Sequence, residues 1–201
     1  MRGEMKKKDL EIRLQSLELF SEPKAHLEQY PTPSVIASDI LFSAYAAGDI
    51  AGKTVADLGC GTGIFAIGAS LLDASKVTAF DIDGSALEIA GRNAESLGCD
   101  IEFVKADIKD VEGRFDTVLM NPPFGSQNKH ADTPFLTKAM DNADSVYSIH
   151  MACTSEYIEK TAESAGRTVV GRITYKYEIP HTFAFHNKTK KSVDVIAVSI
   201  R

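Results

Sequence analysis

From about residue 50 onward the chain alternates short β-branched apolar runs with longer stretches of helical periodicity. Residues 54–58, 77–81, 101–105, 115–120, 145–150, 168–177 and 193–200 read as seven strands. Between them, residues 64–72, 85–97, 134–142 and 155–164 read as helices. Several of the strands are near-continuous apolar runs, as expected when helices cover both faces of a sheet. Strands alternating with helices imply βαβ units and a mostly parallel sheet. The last two strands break the pattern. Only residues 178–192 separate them, with Pro180 and mostly polar neighbours, so they are expected to pair antiparallel as a hairpin. The expected fold is α/β, a Rossmann-like, seven-stranded, mostly parallel sheet with a terminal antiparallel hairpin.

Two helices are expected before residue 50. Leu10, Leu14, Leu17 and Phe20 fall on one apolar stripe. A second helix starts near Pro33, with Thr32 as its cap and proline in the first turn, and ends near Gly48. Between them runs Glu28-Gln29-Tyr30-Pro31-Thr32-Pro33, a polar turn with two prolines. No internal repeat or linker interrupts the pattern. One domain is therefore expected over residues 1–201, with N-terminal helices over 1–50 and the Rossmann-like core over 51–201.

Composition narrows the class. Apolar residues make up 44% and charged residues 25% of the 201, ordinary values for a soluble domain. Cys60, Cys99 and Cys153 are odd in number and dispersed, which argues against a disulfide framework or a zinc ribbon. No apolar run approaches the roughly 18 residues of a membrane span. Residues 1–13 are charged and lack the apolar region of a signal peptide. A cytoplasmic protein with no membrane association is expected. The net charge of −6 argues at first against nucleic acid as a partner. It is unevenly distributed: residues 167–191 carry +5 and residues 1–166 carry −11. An acidic body with a basic C-terminal quarter marks a localised anion-binding surface or a stretch of solubilising lysines.

Asp57-Leu58-Gly59-Cys60-Gly61-Thr62-Gly63 follows the first strand and opens a helix. Such glycines allow a tight turn and close approach of a ligand. A dinucleotide fingerprint would need a third glycine where Ile64 stands, and no Gly-Lys-Ser/Thr follows to make a P-loop. Asp57 would repel a pyrophosphate and attract a cation. S-adenosylmethionine has no phosphate and carries a sulfonium and an ammonium, so the loop favours it as cofactor. Asp81 ends the second strand, close to the spacing at which an acid meets ribose hydroxyls. Asp107 closes the third strand, where it can accept from an adenine amino group. Any one of these acids could simply begin a turn, as Asp83 is expected to do by capping the next helix. Three at successive strand ends beside a glycine loop point to a ligand.

Asn121-Pro122-Pro123-Phe124 follows the fourth strand at the same edge of the sheet. Asn-Pro is also ordinary turn chemistry. Here, however, Pro-Pro removes two backbone donors and leaves their carbonyls free. The Asn121 side-chain oxygen and the Pro122 carbonyl together suit a planar NH₂ conjugated to a π-system. Accepting both hydrogens concentrates electron density on the nitrogen, which can then attack an electrophilic methyl. Phe124 offers a face for a planar base or amide. No strong base is needed, so orientation and electrostatics carry the step.

These two motifs resemble class I S-adenosylmethionine-dependent N-methyltransferases acting on conjugated amino groups. Within that group the chain is similar to the methyltransferase-like protein 5 family. The likeness rests on residues 27–32 (Leu-Glu-Gln-Tyr-Pro-Thr), 80–83 (Phe-Asp-Ile-Asp), 121–125 (Asn-Pro-Pro-Phe-Gly), 146–150 (Val-Tyr-Ser-Ile-His) and 185–194, and spans roughly residues 10–200. The resemblance implies adenine N6 methylation of structured RNA, specifically small-subunit ribosomal RNA. It also implies a small zinc-binding activator that adds a strand at the sheet edge, where residues 101–105 are expected. It places Gln29, Thr32, Gly59, Gly61, Asp81 and Asp107 at the cofactor, with Ile82 and Ile108 beside the two acids. It places Asn121, Pro122, Pro123 and Phe124 on a flipped adenine. Thr62 departs from the pattern, since better-known members carry cysteine there.

The basic stretch then gains a role. His181, Phe183, Phe185, His186, Lys188, Lys190 and Lys191 interleave aromatics with cations, and His186 and the three lysines are the expected RNA contacts. His26, His130 and His150 show no ligand spacing, so no metal is expected. A glutamine amide in a protein is a rival methyl acceptor for the same motif, and a non-catalytic RNA-binding assembly factor is a rival of another class. DNA adenine is disfavoured because no separate target-recognition domain is visible in 201 residues.

Overall fold

The computed structural model describes residues 5–125, 131–179 and 191–201. In chain order these form α1 (Lys7–Gln15), α2 (Ser34–Ala46), β1 (Thr54–Leu58), α3 (Ile64–Leu71), β2 (Lys76–Asp81), α4 (Gly84–Leu97), β3 (Glu102–Lys105), β4 (Phe115–Met120), α5 (Thr133–Asn142), β5 (Ala143–Met151), α6 (Ser155–Ser164), β6 (Val169–Ile179) and β7 (Lys191–Ile200). The strands make one seven-stranded sheet in the order β3-β2-β1-β4-β5-β7-β6. The first five strands are mutually parallel, and β7 runs antiparallel to both β5 and β6. The expected mostly parallel sheet with a terminal antiparallel pair is what forms. The last pair is longer than the apolar pattern indicated: its ladder continues to Ile179 opposite Lys191, because backbone pairing does not require apolar side chains.

Alternation along the strands sends side chains to two cores. On one face Val55, Val77, Ala79, Leu119 and Ile149 pack under α1, α2 and α3 through Leu10, Leu14, Ile36, Ile40, Leu41 and Phe65. On the other, Ala56, Leu58, Val118, Met120, Val146 and Val198 pack under α5 and α6 through Leu136, Met140 and Ile158. The order of the sheet reverses between β1 and β4, and ligands in open α/β sheets bind at the carboxyl ends of strands at such a point. Leu58 at the end of β1 lies opposite Met120 at the end of β4. The glycine loop and Asn121 therefore leave the sheet side by side.

Two expectations about the N-terminal region need correction. The apolar stripe does not continue as helix to Phe20, because α1 ends at Gln15. The backbone of Glu18 instead pairs with the Asn93 side chain of α4, its N–H donating to Oδ1 at 2.8 Å and its carbonyl accepting from Nδ2 at 3.0 Å. That pairing draws residues 17–33 away as a strap across the carboxyl ends of the strands. Thr32 does not cap α2. Pro33 occupies the cap position without a side-chain bond, and the Thr32 hydroxyl faces Asn121 instead. Gly48 does end α2, with φ +79° just beyond the last turn.

Candidate functional site

The three glycines of the loop after β1 all have positive φ, and Gly63 at +90° forms the N-cap of α3. Gly61 is doubly constrained. Its φ is +54°, and a Cβ there would lie 2.9 Å from the Phe20 ring. Phe20, carried by the strap, thus presses directly on the loop. The loop is also fastened from below. The N–H groups of Gly59 and Cys60 both donate to the Phe80 carbonyl, at 2.9 and 3.0 Å.

Asp57 and Asp81 belong to this fastening as well as to the cavity. Asp57 is 1% exposed and accepts from the Ala66 N–H at 2.9 Å. Burial pushes its carboxyl up to about 7; the Ala66 N–H opposes this and the neighbouring Asp81 charge adds to it. Asp81 accepts from Asp83 N–H through one oxygen and from Gly61 N–H through the other, both at 2.8 Å. Each oxygen keeps lone-pair capacity on the cavity side. Burial raises this carboxyl too, against those two backbone donors. Asp107 closes a short turn, accepting from Lys109 N–H at 3.1 Å, so it serves locally as a cap while lining the cavity.

These groups surround a cavity of about 280 Å³. All nine expected cofactor residues line it: Gln29, Thr32, Asp57, Gly59, Gly61, Asp81, Ile82, Asp107 and Ile108. Asn121, Pro122 and Pro123 line it as well. Phe124 is not among the lining residues. Its ring meets Tyr177 edge-on, centroids 5.8 Å apart at 88°. His186, Lys188 and Lys190 lie outside the described residues, as do His130, His181, Phe183 and Phe185, and of Lys191 only the backbone position in β7 is described. Among the described residues no group of three or more His, Cys, Asp or Glu is arranged to hold a metal ion.

The strap supplies one wall. Gln29 holds it: its Oε1 accepts from Lys24 N–H and its Nε2 donates to Asp83, each at 2.8 Å. Lys24 Nζ also reaches Asp83, at 2.6 Å. Burial alone would raise the Asp83 carboxyl, but Lys24, Gln29 and Ser85 hold it well below the usual range. Asp83 caps α4 as expected and in addition anchors the strap.

The comparisons with known proteins follow this geometry. The Methyltransferase small domain family matches residues 35–147. The rRNA N(6)-adenosine-methyltransferase METTL5 of Danio rerio is 42% identical over 98% of this chain and 98% of its own length. The chain belongs to the METTL5 family. A Drosophila melanogaster protein of the same name is 38% identical, over 95% of this chain and 94% of its own. A crystal structure from Pyrococcus horikoshii superposes with a TM-score of 0.91 at 43% identity, covering 98% of this chain and 97% of that one. The fold is that of class I methyltransferases, and no helix among the described residues is long and apolar enough to cross a membrane.

The cofactor of METTL5-type chemistry, S-adenosylmethionine, fits the cavity on two observations. First, four carboxylates (Glu28, Asp57, Asp81 and Asp107) and no lysine or arginine line it, which suits a sulfonium and an ammonium and opposes a phosphate. Second, each Asp81 oxygen takes a single backbone N–H and keeps lone-pair capacity for a ribose hydroxyl. Sequence reasoning missed Phe20 and Phe135 over the glycines, and Tyr177 bonded to the strap at the Pro31 carbonyl. It also missed the buried chain Ser148–His150–Asp132, with His150 Nε2 2.8 Å from Ser148 Oγ and Nδ1 2.9 Å from Asp132. The only signal available in the sequence was a histidine inside an apolar strand, which marks a satisfied core residue as readily as a site.

Proposed function

We propose that this chain transfers a methyl group from S-adenosylmethionine to N6 of an adenine in ribosomal RNA, specifically of the small subunit. The observation that carries the reading is Asn121, which lines an acidic cavity together with Pro122 and whose side-chain carbonyl is buried and unpaired. Bound S-adenosylmethionine supplies an electrophilic methyl on a sulfonium. Asn121 Oδ1 and the Pro122 carbonyl accept the two N6 hydrogens and turn the nitrogen lone pair toward that carbon. Methyl transfer would exchange the sulfur–carbon bond for a nitrogen–carbon bond, and the methylated nitrogen would release its proton to solvent. Asp81 takes the ribose hydroxyls on the lone pairs left free by Gly61 and Asp83. Asp107 would accept from the cofactor's adenine, and Asp57 would balance its positive charge. Gln29, Thr32, Gly59, Gly61, Ile82 and Ile108 complete the walls. Pro123 and Phe124 hold the flipped adenine.

Full-length likeness to proteins named adenosine methyltransferases supports an adenine over a glutamine amide as acceptor. His186, Lys188, Lys190 and Lys191 contact RNA in this reading, on the strength of their composition. The partner is a small zinc-binding activator pairing with the outer edge of β3, supported by the position of β3 at the end of the sheet. Residues 1–201 act as one domain in the cytoplasm. Asn121→Ala should abolish label transfer from S-adenosylmethionine to ribosomal RNA while cofactor affinity stays within about fivefold. Normal turnover of that variant, or unchanged methyladenosine in ribosomal RNA of cells lacking the gene, would overturn the proposal.

A further inference from the structure

A primary amide carries a donor at one end and an acceptor at the other, and its neighbours dictate which end goes where. At Gln29 each neighbour is of one kind only. The Lys24 backbone N–H can only donate, and it meets Oε1 at 2.8 Å. The ionised Asp83 carboxylate can only accept, and its Oδ2 meets Nε2 at 2.8 Å. The two oxygens of Asp83 have different duties. Oδ1 accepts from Lys24 Nζ at 2.6 Å, from Ser85 Oγ at 2.8 Å and from Ser85 N–H at 3.1 Å, the last being the cap of α4. Oδ2 takes Gln29.

Neither Asp83 nor Lys24 lines the cavity, whereas Phe20 and residues 26–32 of the strap do. The strap's ends are secured elsewhere: Glu18 pairs with Asn93, and the Pro31 carbonyl accepts from the Tyr177 hydroxyl at 3.0 Å. Between those ends it meets the body at Asp83, through Lys24 and Gln29, and at Gly61, through Phe20. The seated strap also needs holding. Glu28, directly before Gln29, has φ +50°, a left-handed conformation that a residue with a side chain rarely adopts. Asp83 is a firm point to hold it from, since it opens α4 and its own N–H donates to Asp81 at 2.8 Å.

We propose that Asp83 is a positioning residue for the cofactor: its carboxylate latches the strap through Gln29 and Lys24, and so holds one wall of the cavity without touching the ligand. The inference rests on the reading of this cavity as the cofactor site. It gives Gln29 the part of a strut, distinct from side-chain contact with S-adenosylmethionine. The latch requires a carboxylate. An amide at position 83 has one acceptor end for two duties. Turned one way it sets an NH₂ against the NH₂ of Gln29, and turned the other way it sets one against Lys24 and the cap.

The test reverses the polarity of the latch. Asp83→Asn alone faces donor with donor, and Gln29→Glu alone faces carboxylate with carboxylate. The double variant Asp83→Asn/Gln29→Glu again faces a donor with an acceptor, keeps an acceptor for the Lys24 N–H and leaves the net charge unchanged. Asparagine caps a helix as well as aspartate does, so α4 keeps its cap. Two quantities are measured on the full chain: hydrogen exchange of the strap without ligand, and the calorimetric Kd for S-adenosylmethionine. Each single substitution should speed strap exchange and raise Kd, both by about tenfold or more, and the double variant should bring both back to within about threefold of wild type. A double variant that binds no tighter than the weaker single one would overturn the inference, as would single variants that exchange and bind like the wild type. Exchange in α4 that rises with that of the strap in Asp83→Asn would mark a lost cap instead and overturn it too. If a single variant does not fold, Lys24→Met decides, and unchanged strap exchange and Kd in it would refute the latch. Strap exchange is read without ligand, so a wild type that binds no S-adenosylmethionine sinks the reading of the cavity separately.

Discussion

The titration of Asp57 offers a direct test of how the cavity selects its ligand. Its carboxyl, 1% exposed, is raised from 3.8 to about 7, chiefly by burial. At 1.36 kcal/mol per unit, the charged form is disfavoured by about 4 kcal/mol in the ligand-free protein. Because the folded-state value lies above the unfolded one, the protonated group contributes stability that is complete below pH 3.8 and lost as pH rises through 7. A cationic ligand beside the carboxylate reverses the preference and should expel the proton. If binding brings the group to about 5 or below, the release expected is about 0.8–0.9 proton at pH 6 and about 0.5 at pH 7. Calorimetric titration of S-adenosylmethionine in two buffers of different ionisation enthalpy measures this number. Asp57→Asn is the control, since titration of the ligand's own amine is common to both proteins and cancels in the difference. A wild type that releases no more protons than Asp57→Asn at pH 6 would refute the reasoning.

Other consequences are independent of that titration. His150→Phe leaves Ser148 and the buried Asp132 unpaired, at about 1–3 kcal/mol each, so urea unfolding should show a loss of about 2–6 kcal/mol at unchanged m. Gly61→Ala meets both a strained φ and the Phe20 ring. Displacing Phe20 should weaken cofactor binding about tenfold or more by calorimetry, with stability lowered by about 1–2 kcal/mol. Replacing Lys188, Lys190 and Lys191 together by alanine should weaken RNA binding and reduce the slope of log affinity against log salt by about 2. An unchanged slope would place the RNA elsewhere.

The parts of the site legible in the sequence were those attached to strand ends. Asp57 to Gly63 and Asn121 to Phe124 follow strongly patterned strands, and a parallel sheet brings strand ends to one edge by topology alone. What could not be read was set by long-range hydrogen bonding. Thr32 has the composition of a helix cap, but Asn121, 89 residues away, competes for it and wins. Leu17 and Phe20 continue an apolar stripe, yet the reciprocal bonds between Glu18 and Asn93 span 75 residues and end the helix early. Tyr177 reads as one more strand aromatic, and its partner Pro31 lies 146 residues off. Periodicity reports local burial and carries no term for such pairs.

Charge then explains how a phosphate-rich substrate can use an acidic cavity. Asp57, Asp81 and Asp107 line it with no lysine or arginine, so a nucleotide drawn in whole would bring its phosphate against carboxylates. A base extruded from its stack brings only a neutral ring to Asn121 and leaves its phosphate outside. On the proposed function that backbone would be held by the +5 stretch of residues 167–191, which begins just before β6 and ends at β7, at the far side of the sheet from β3. Tyr177 sits within that stretch and fastens the strap through the Pro31 carbonyl. On the function proposed above, the acidic body would hold the cationic cofactor and reject phosphate, and the basic quarter would hold the phosphate backbone.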